Sequence, residues 1–353
     1  MIVAGAGMAG LVTAVRAREL GLAPVVYEKG TRPGGSMLLS SGVVWRHAEW
    51  EAFRRECPAG DERLQRLVWE RLDDALDWLR SLGAPVLRDE TENPLTTGMR
   101  FDTRGLTECL RSRVGTLRLG EPAPLDGDEP VVLATGGFGG SPELVARYVE
   151  PAAPLRLRAN PWSTGDGLVH AHARGAALSA GMADFYGRNM PDTPWTEAEF
   201  VPAAQLYARR TRIFDEDGVE FFQAAAVSWS ETNVVQATAR RPGAHAYYLL
   251  TEEALADPEV FSRAGPTIAP GELPFAPPAE TAAAVRVVAS ITHTIGGLRV
   301  DDRARVTRED GSAVDGLYAA GVDAGGVAAG GYASGLAQAL VLGLVAAEAI
   351  AAA

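Results

Sequence analysis

Two cysteines, Cys57 and Cys109, are all that 353 residues contain, and they form no CxxC, CxxCH or clustered pattern. Spacing of that kind argues against zinc, c-type haem and iron–sulfur ligation, so no metal is expected, and the pair reads as free core thiols in a reducing, cytoplasmic setting. Basic charge is also short. Lys+Arg number 33 against 45 Asp+Glu, a formal net charge of −12, so the electrostatic footprint of a phosphate-backbone binder is absent and nucleic acid is not an expected partner. Long apolar runs are scarce too. Met1 leads into Ile2-Val3-Ala4 without a basic region, so no secretory signal is expected, and only 335–353 resembles a membrane span. That run carries Gln338 and Glu348 and is mainly alanine, which favours a buried helix.

Glycine is plentiful instead, and 20 of the 39 glycines fall in six short windows, which brings backbone close to something at several places. The first window is the most informative. Ile2-Val3-Ala4 reads as a strand, Gly5-Ala6-Gly7-Met8-Ala9-Gly10 as a turn, Leu11 to Leu20 as a helix, and Pro24 to Glu28 as a second strand ending in an acid. This is a βαβ dinucleotide fingerprint in its proper context: Gly5 for the tight turn, Gly7 for approach of a pyrophosphate, Gly10 for close helix–strand packing, and Glu28 for a ribose.

Leu64, Leu67, Val68, Leu72, Leu76 and Leu79 mark an amphipathic scaffold helix over 62–82, with Trp69 and Trp78 read as packing residues. Val131 to Gly137 reads as a strand ending in a glycine turn. From about 141 to 289 the βαβ rhythm stops and polar, Pro-rich and aromatic segments follow one another; it returns at Leu298 and continues through Gly316–Gly321 to the last helix. The expected architecture is therefore α/β: a discontinuous Rossmann-like domain over 1–140 and 290–353, with an α+β domain over 141–289 inserted into it.

Eight motifs in register, GAGMAG with YEKG, PGGSMLLSSGVVW, DWLRSLGAP, VVLATGGFGGSPELVARY, STGDGLVHAHARGAALS, ITHTIGGLRVDDRARV, GLYAAG and SGLAQALVLG, resemble the fumarate reductase/succinate dehydrogenase-type flavoproteins. That family includes 3-ketosteroid dehydrogenases, urocanate reductase and tricarballylate dehydrogenase. The resemblance implies an FAD-binding domain with a capping domain and a small-molecule substrate held against the flavin. It places Gly5, Gly7 and Gly10 at the pyrophosphate and Glu28, with Lys29 of YEKG, at the adenosine ribose. It further implies flavin or adenosine contacts for Gly35, Ser36, Ser41, Gly42, Thr135, Gly136, Asp166, Gly321, Asp323, Ser334, Gly335 and Leu336. Asp323 enters in place of an acid that the family carries one position earlier, where Val322 stands. The loop after Gly34-Gly35 holds no histidine, so FAD is expected without a covalent bond.

Two departures bear on the substrate. The family's proton-donating arginine lies in a GRRF-like segment where this chain has Val219 and Glu220, and its carboxylate-clamping arginine aligns with Tyr332. Without bidentate guanidinium partners a dicarboxylate loses its strongest anchors. The expected reaction is oxidation or reduction of a CH–CH bond next to an activating carbonyl, by a dehydrogenase (desaturase) or an ene-reductase acting on a non-dicarboxylate, specialised metabolite. Alternatives are a flavin oxidase, an isomerase, or an FAD-binding protein without turnover. Tyr332 and His293 are the candidate catalytic residues; a rim aromatic and a structural histidine are the competing roles. Arg209, Arg210 and Arg212 read as a solvated face or a displaced cation. With no CxxCH haem segment and no second GxGxxG, electrons are expected to pass to or from a separate partner.

Overall fold

The computed structural model describes residues 1–222 and 230–353. It divides into two compact units, one of residues 1–141, 160–184 and 293–353, the other of residues 142–159 and 185–292.

The first unit is built on a six-stranded sheet. Strand β1 (Ile2–Ala4) lies at its centre between β2 (Val25–Glu28) and the strand Val131–Leu133, all parallel, with Ile2 opposite both Val25 and Val131. The order across the sheet is Arg305–Thr307, Ala313–Ala319, Val131–Leu133, β1, β2 and Thr116–Leu119. Val3, Val26 and Val132 are fully buried, as expected of central parallel strands covered on both faces. The edge strand Thr116–Leu119 is an element the sequence pattern did not single out; it is short and mostly exposed, and its register comes from pairing with β2 rather than from its own pattern.

Helix α1 (Met8–Glu19) follows the first turn, and the C-terminal helix Gly335–Ala351 packs beside it, Gly343 lying so close that a Cβ there would stand 2.9 Å from the Ala9 carbonyl oxygen. Buried from Ala339 to Ala347, the C-terminal helix takes up its apolar length inside the unit. Among the described residues no helix is long and apolar enough to cross a membrane. A three-stranded antiparallel sheet pairs β3 (Val43–His47) with Thr96–Phe101 and that strand with Val86–Arg88. Helix α2 (Trp50–Glu56) follows β3, and α3 (Glu62–Ser81) is capped by the Asp61 carboxylate, which accepts from the amides of Arg63 and Leu64. The stripe on α3 buries Leu64, Val68, Leu72, Leu76 and Leu79.

The second unit is α+β in character. Antiparallel pairs join Glu220–Phe222, Arg212–Phe214, His245–Leu250 and the long strand Ala283–Thr294. Tyr207, Ile213, Val234, Tyr248, Val285 and Val287 form its core. Here the structure departs from the expected single insertion over 141–289. Residues 160–184 pack in the first unit, where the Gly167 amide donates to Thr135 Oγ1 at 3.3 Å and Leu178 bridges Leu298. The STGDGL stretch belongs to the glycine turns of the first unit, and strand rhythm alone does not show that.

Candidate functional site

The turn between β1 and α1 is held by contacts only glycine permits. Gly5 has φ +107°, and a Cβ at position 10 would overlap the Gly5 carbonyl oxygen, so helix and strand touch backbone to backbone. Gly7 differs: a Cβ there would meet nothing within 4 Å, and it would project into open space at the head of α1. Gly7 is also the N-cap residue, with no side-chain cap hydrogen bond, so the first amides of the helix are left to an anion. Gly34 bridges Gly7, and Gly35 follows so closely that its Cβ would stand 3.1 Å from the Gly7 Cα. The glycine-pair loop thus forms a second wall of the same cradle.

Glu28 is buried, its Oε2 accepting the Ala6 amide at 2.9 Å and its Oε1 the Gly30 amide at 2.7 Å. Each oxygen retains one acceptor site, enough for two vicinal ribose hydroxyls. Asp323 is the opposite case. Its Oδ1 accepts from Thr135 Oγ1 at 3.0 Å and the Gly137 amide at 3.3 Å, while its Oδ2 accepts from the amides of Thr135 and of Gly136, the latter at 3.1 Å. All four acceptor sites of the carboxylate are filled, leaving none for a ribityl hydroxyl. Burial pushes the Asp323 carboxyl up, against the lowering effect of its donors. This corrects the direct contact expected of it: Asp323 shapes the Thr135–Gly137 turn from behind. Gln338 steadies the same place from the C-terminal helix, its Nε2 donating to the Gly321 carbonyl at 2.8 Å and to that of Ala324.

Lys29 and Asp166 form an ion pair at 2.7 Å, and Lys29 Nζ also meets Thr164 Oγ1 at 2.5 Å. Ser36 Oγ accepts from the Asn160 amide at 3.3 Å. Ser41 is exposed and uses its carbonyl to hold Arg100, and a Cβ at Gly42 would overlap the Phe101 carbonyl oxygen, so this pair is tied to the β3 sheet.

The loop 325–334 carries Tyr332 to the head of the C-terminal helix. The Gly330 amide donates to Asp184 Oδ2 at 2.9 Å, and Gln65 Nε2 donates to the Val327 carbonyl at 2.8 Å. His47 Nε2–H donates to the Tyr332 carbonyl at 3.3 Å, and the Tyr332 ring meets Trp45 edge-on at 5.4 Å. Burial pushes His47 down to about 4. Ser334 caps the helix, its Oγ accepting from the Ala337 amide at 3.3 Å, and Leu336 follows in the first turn. His293 lies against Gly335, where a Cβ would stand 3.0 Å from His293 Nε2. Its Nδ1–H donates to the Thr294 carbonyl at 3.0 Å, and burial holds its pKa below the ordinary histidine value.

A family model described as an FAD binding domain matches residues 1–118 and 118–335. The chain belongs to the FAD binding domain family. A probable fumarate reductase of Shewanella frigidimarina is 26% identical over 248 residues, which cover 56% of this chain and 40% of that protein. The chain thus matches less than half the length of that relative. Solved structures of similar fold include the open conformation of a flavocytochrome c3 fumarate reductase, with TM-score 0.74 and 19% identity over 99% of this chain and 78% of that one. They also include two ketosteroid dehydrogenases. The Δ4-(5α) enzyme of Rhodococcus jostii RHA1, in complex with 4-androstene-3,17-dione, has TM-score 0.76 and 18% identity over 99% and 96% of the chains. The Δ1 enzyme of Sterolibacterium denitrificans has TM-score 0.76 and 16% identity over 99% of each chain.

FAD fits the residues present. The open space at Gly7, the uncapped head of α1 and the spare acceptor sites of Glu28 match a pyrophosphate and a ribose. Among the described residues no group of three or more His, Cys, Asp or Glu is placed to hold a metal. In the second unit Glu220 pairs with Arg212 at 2.7 Å and Arg210 pairs with Asp257 and Glu259, so these arginines are matched by carboxylates of their own unit. Asn189, Tyr247 and Tyr248 are buried, Asn189 Nδ2 donating to Thr238 Oγ1 and Tyr248 OH, a packing role.

Proposed function

We propose that the protein is an FAD-dependent oxidoreductase acting on a CH–CH bond beside an activating carbonyl, as a desaturase or ene-reductase of a non-dicarboxylate substrate. What supports this reading is His293 lying against Gly335 and Tyr332 standing three positions before it, at the head of the C-terminal helix, where the resemblance places a carboxylate-clamping arginine. Bound FAD supplies the hydride acceptor or donor at N5. His293, through Nε2, takes a hydrogen bond or a proton from the substrate. Tyr332, steadied by Trp45 and His47, offers a hydroxyl to the carbonyl or to the carbon beside the reacting bond. Neither group is a bidentate partner for a carboxylate. FAD is held without a covalent bond, and electrons go to or come from a separate partner.

The test is anaerobic photoreduction of the flavin followed by mixing with 4-androstene-3,17-dione, 2-cyclohexenone or fumarate. Reoxidation by an enone and not by fumarate is expected. Tyr332→Phe slows it by roughly 10²-fold or more. Reoxidation by fumarate alone, or by none of the three, overturns the reading, and acid precipitation that leaves flavin on the protein overturns the non-covalent attachment.

A further inference from the structure

Glu28 offers acceptor sites to the ribose, and the base beside it needs a flat apolar surface. Trp162 offers one. A Cβ at Gly30 would stand 2.5 and 2.7 Å from Cε3 and Cδ2 of the Trp162 indole and 2.9 Å from Glu28 Oε1, so the ring lies over Gly30 and next to the ribose acid. The segment that carries it is pinned on both sides. Asn160 Oδ1 accepts the Trp162 amide at 3.1 Å, and the Asn160 amide donates to Ser36 Oγ. The Ser163 carbonyl accepts the Gly140 amide at 2.8 Å, and a Cβ at Gly136 would stand 2.6 Å from Ser163 Oγ. Trp162 is therefore fixed between the Gly30 turn, beside Glu28, and the Gly136 turn, and it is half-buried.

We propose that Trp162 is the adenine-binding residue of this chain, its indole stacking on the base of bound FAD while Glu28 holds the ribose. The stretch between Arg113 and Val131 has fewer than twenty residues and, after Leu119, no regular element until Val131. A single large aromatic delivered by 160–164 gives the base a surface that the short stretch does not build. Indole is the side chain best suited to this, offering a large π-face at low entropic cost. The proposal rests on the FAD reading and deepens it.

The test is titration of the apoprotein with FAD and with FMN, which lacks the adenosine half, for the wild type, Trp162→Phe and Trp162→Ala, alongside thermal shift by ADP. Stacking of one base predicts FAD binding weakened roughly ten- to a hundred-fold in Trp162→Ala, with FMN binding unchanged and the ADP shift lost. Trp162→Phe restores most of the FAD affinity. If Trp162→Ala binds FAD within twofold of wild type, or loses FAD and FMN by the same factor, the ring is a wedge under the Gly30 turn and the proposal falls. A wild-type protein that binds neither FAD nor ADP overturns the cofactor reading itself, a distinct result.

Discussion

Two glycine-rich segments of the first unit each run into a helix, and they are built oppositely. At the head of α1 the N-cap is Gly7, with no capping side chain and open space where a Cβ would project. At the head of the C-terminal helix the N-cap is Ser334, whose hydroxyl satisfies the Ala337 amide, while His293 covers the next residue. One helix leaves its amides for a ligand anion; the other spends part of its first turn on itself and presents side chains instead. The difference separates an end built to take an anion from the end where the proposed reaction is placed, although both segments look alike as strings of glycine and small residues.

The largest effects should come from closing the first turn. Gly10→Ala forces a Cβ into the Gly5 carbonyl, and both partners are backbone, so neither yields without lifting α1 off β1. Overpacking of this kind costs about 3 kcal/mol or more, and the variant should be largely insoluble or melt far below wild type in differential scanning fluorimetry. Gly7→Ala separates the two functions of the turn. Its φ of −73° suits alanine and its Cβ meets nothing, so the apoprotein should melt within a few degrees of wild type while FAD affinity falls at least tenfold, because the methyl fills the approach of the pyrophosphate. If Gly7→Ala binds FAD normally, the open space is not the cofactor's and the contrast between the two helix heads collapses.

A smaller effect is expected behind the reacting end. His47 donates to the Tyr332 carbonyl and is held neutral, pushed down to about 4 by burial. In the unfolded chain the same imidazole takes up a proton below its ordinary value near 6.5. The stability it contributes is therefore fully present above pH 6.5 and is lost as pH falls from 6.5 to about 4, a difference on the order of 3 kcal/mol. Thermal melts between pH 7 and 4 should show this loss. His47→Gln, which keeps an N–H donor but does not titrate, should flatten the profile over that range. An unchanged profile would mean that His47 does not govern the acid stability of the Tyr332 loop.

The first turn was legible in the sequence because its parts are local: strand, glycines, helix and acid all fall within residues 2–28. The second segment was legible as a motif but not as a structure, since its supports come from β3, α3 and Asp184, distant in the chain. Asp323 illustrates the limit. Its motif position suggests a ligand contact, and only the distant amides of 135–137 show that its acceptor sites are already taken. Trp162 carried no signal, because an aromatic beside Pro161 reads as packing until the fold puts it over Gly30. The same long-range logic returned 160–184 to the first unit. Tyr332 and His293 stand out in the sequence through their motif positions, and the fold shows what holds them in place.

The finest distinction concerns Ser334, which the family resemblance places at the cofactor and which the structure uses as a cap. A serine hydroxyl can do both, accepting from the Ala337 amide while donating its own proton elsewhere. Losing a cap costs about 1 kcal/mol, so Ser334→Ala should lower Tm by roughly 2–4 °C and leave FAD affinity within threefold of wild type. Losing a direct ligand would instead weaken FAD binding by more than tenfold with little change in the apoprotein. The expected result is the first, because the C-terminal helix already gives that hydroxyl a partner and α1 is the head left bare. A tenfold loss would move Ser334 to the binding end and make the two helix heads more alike than their capping suggests.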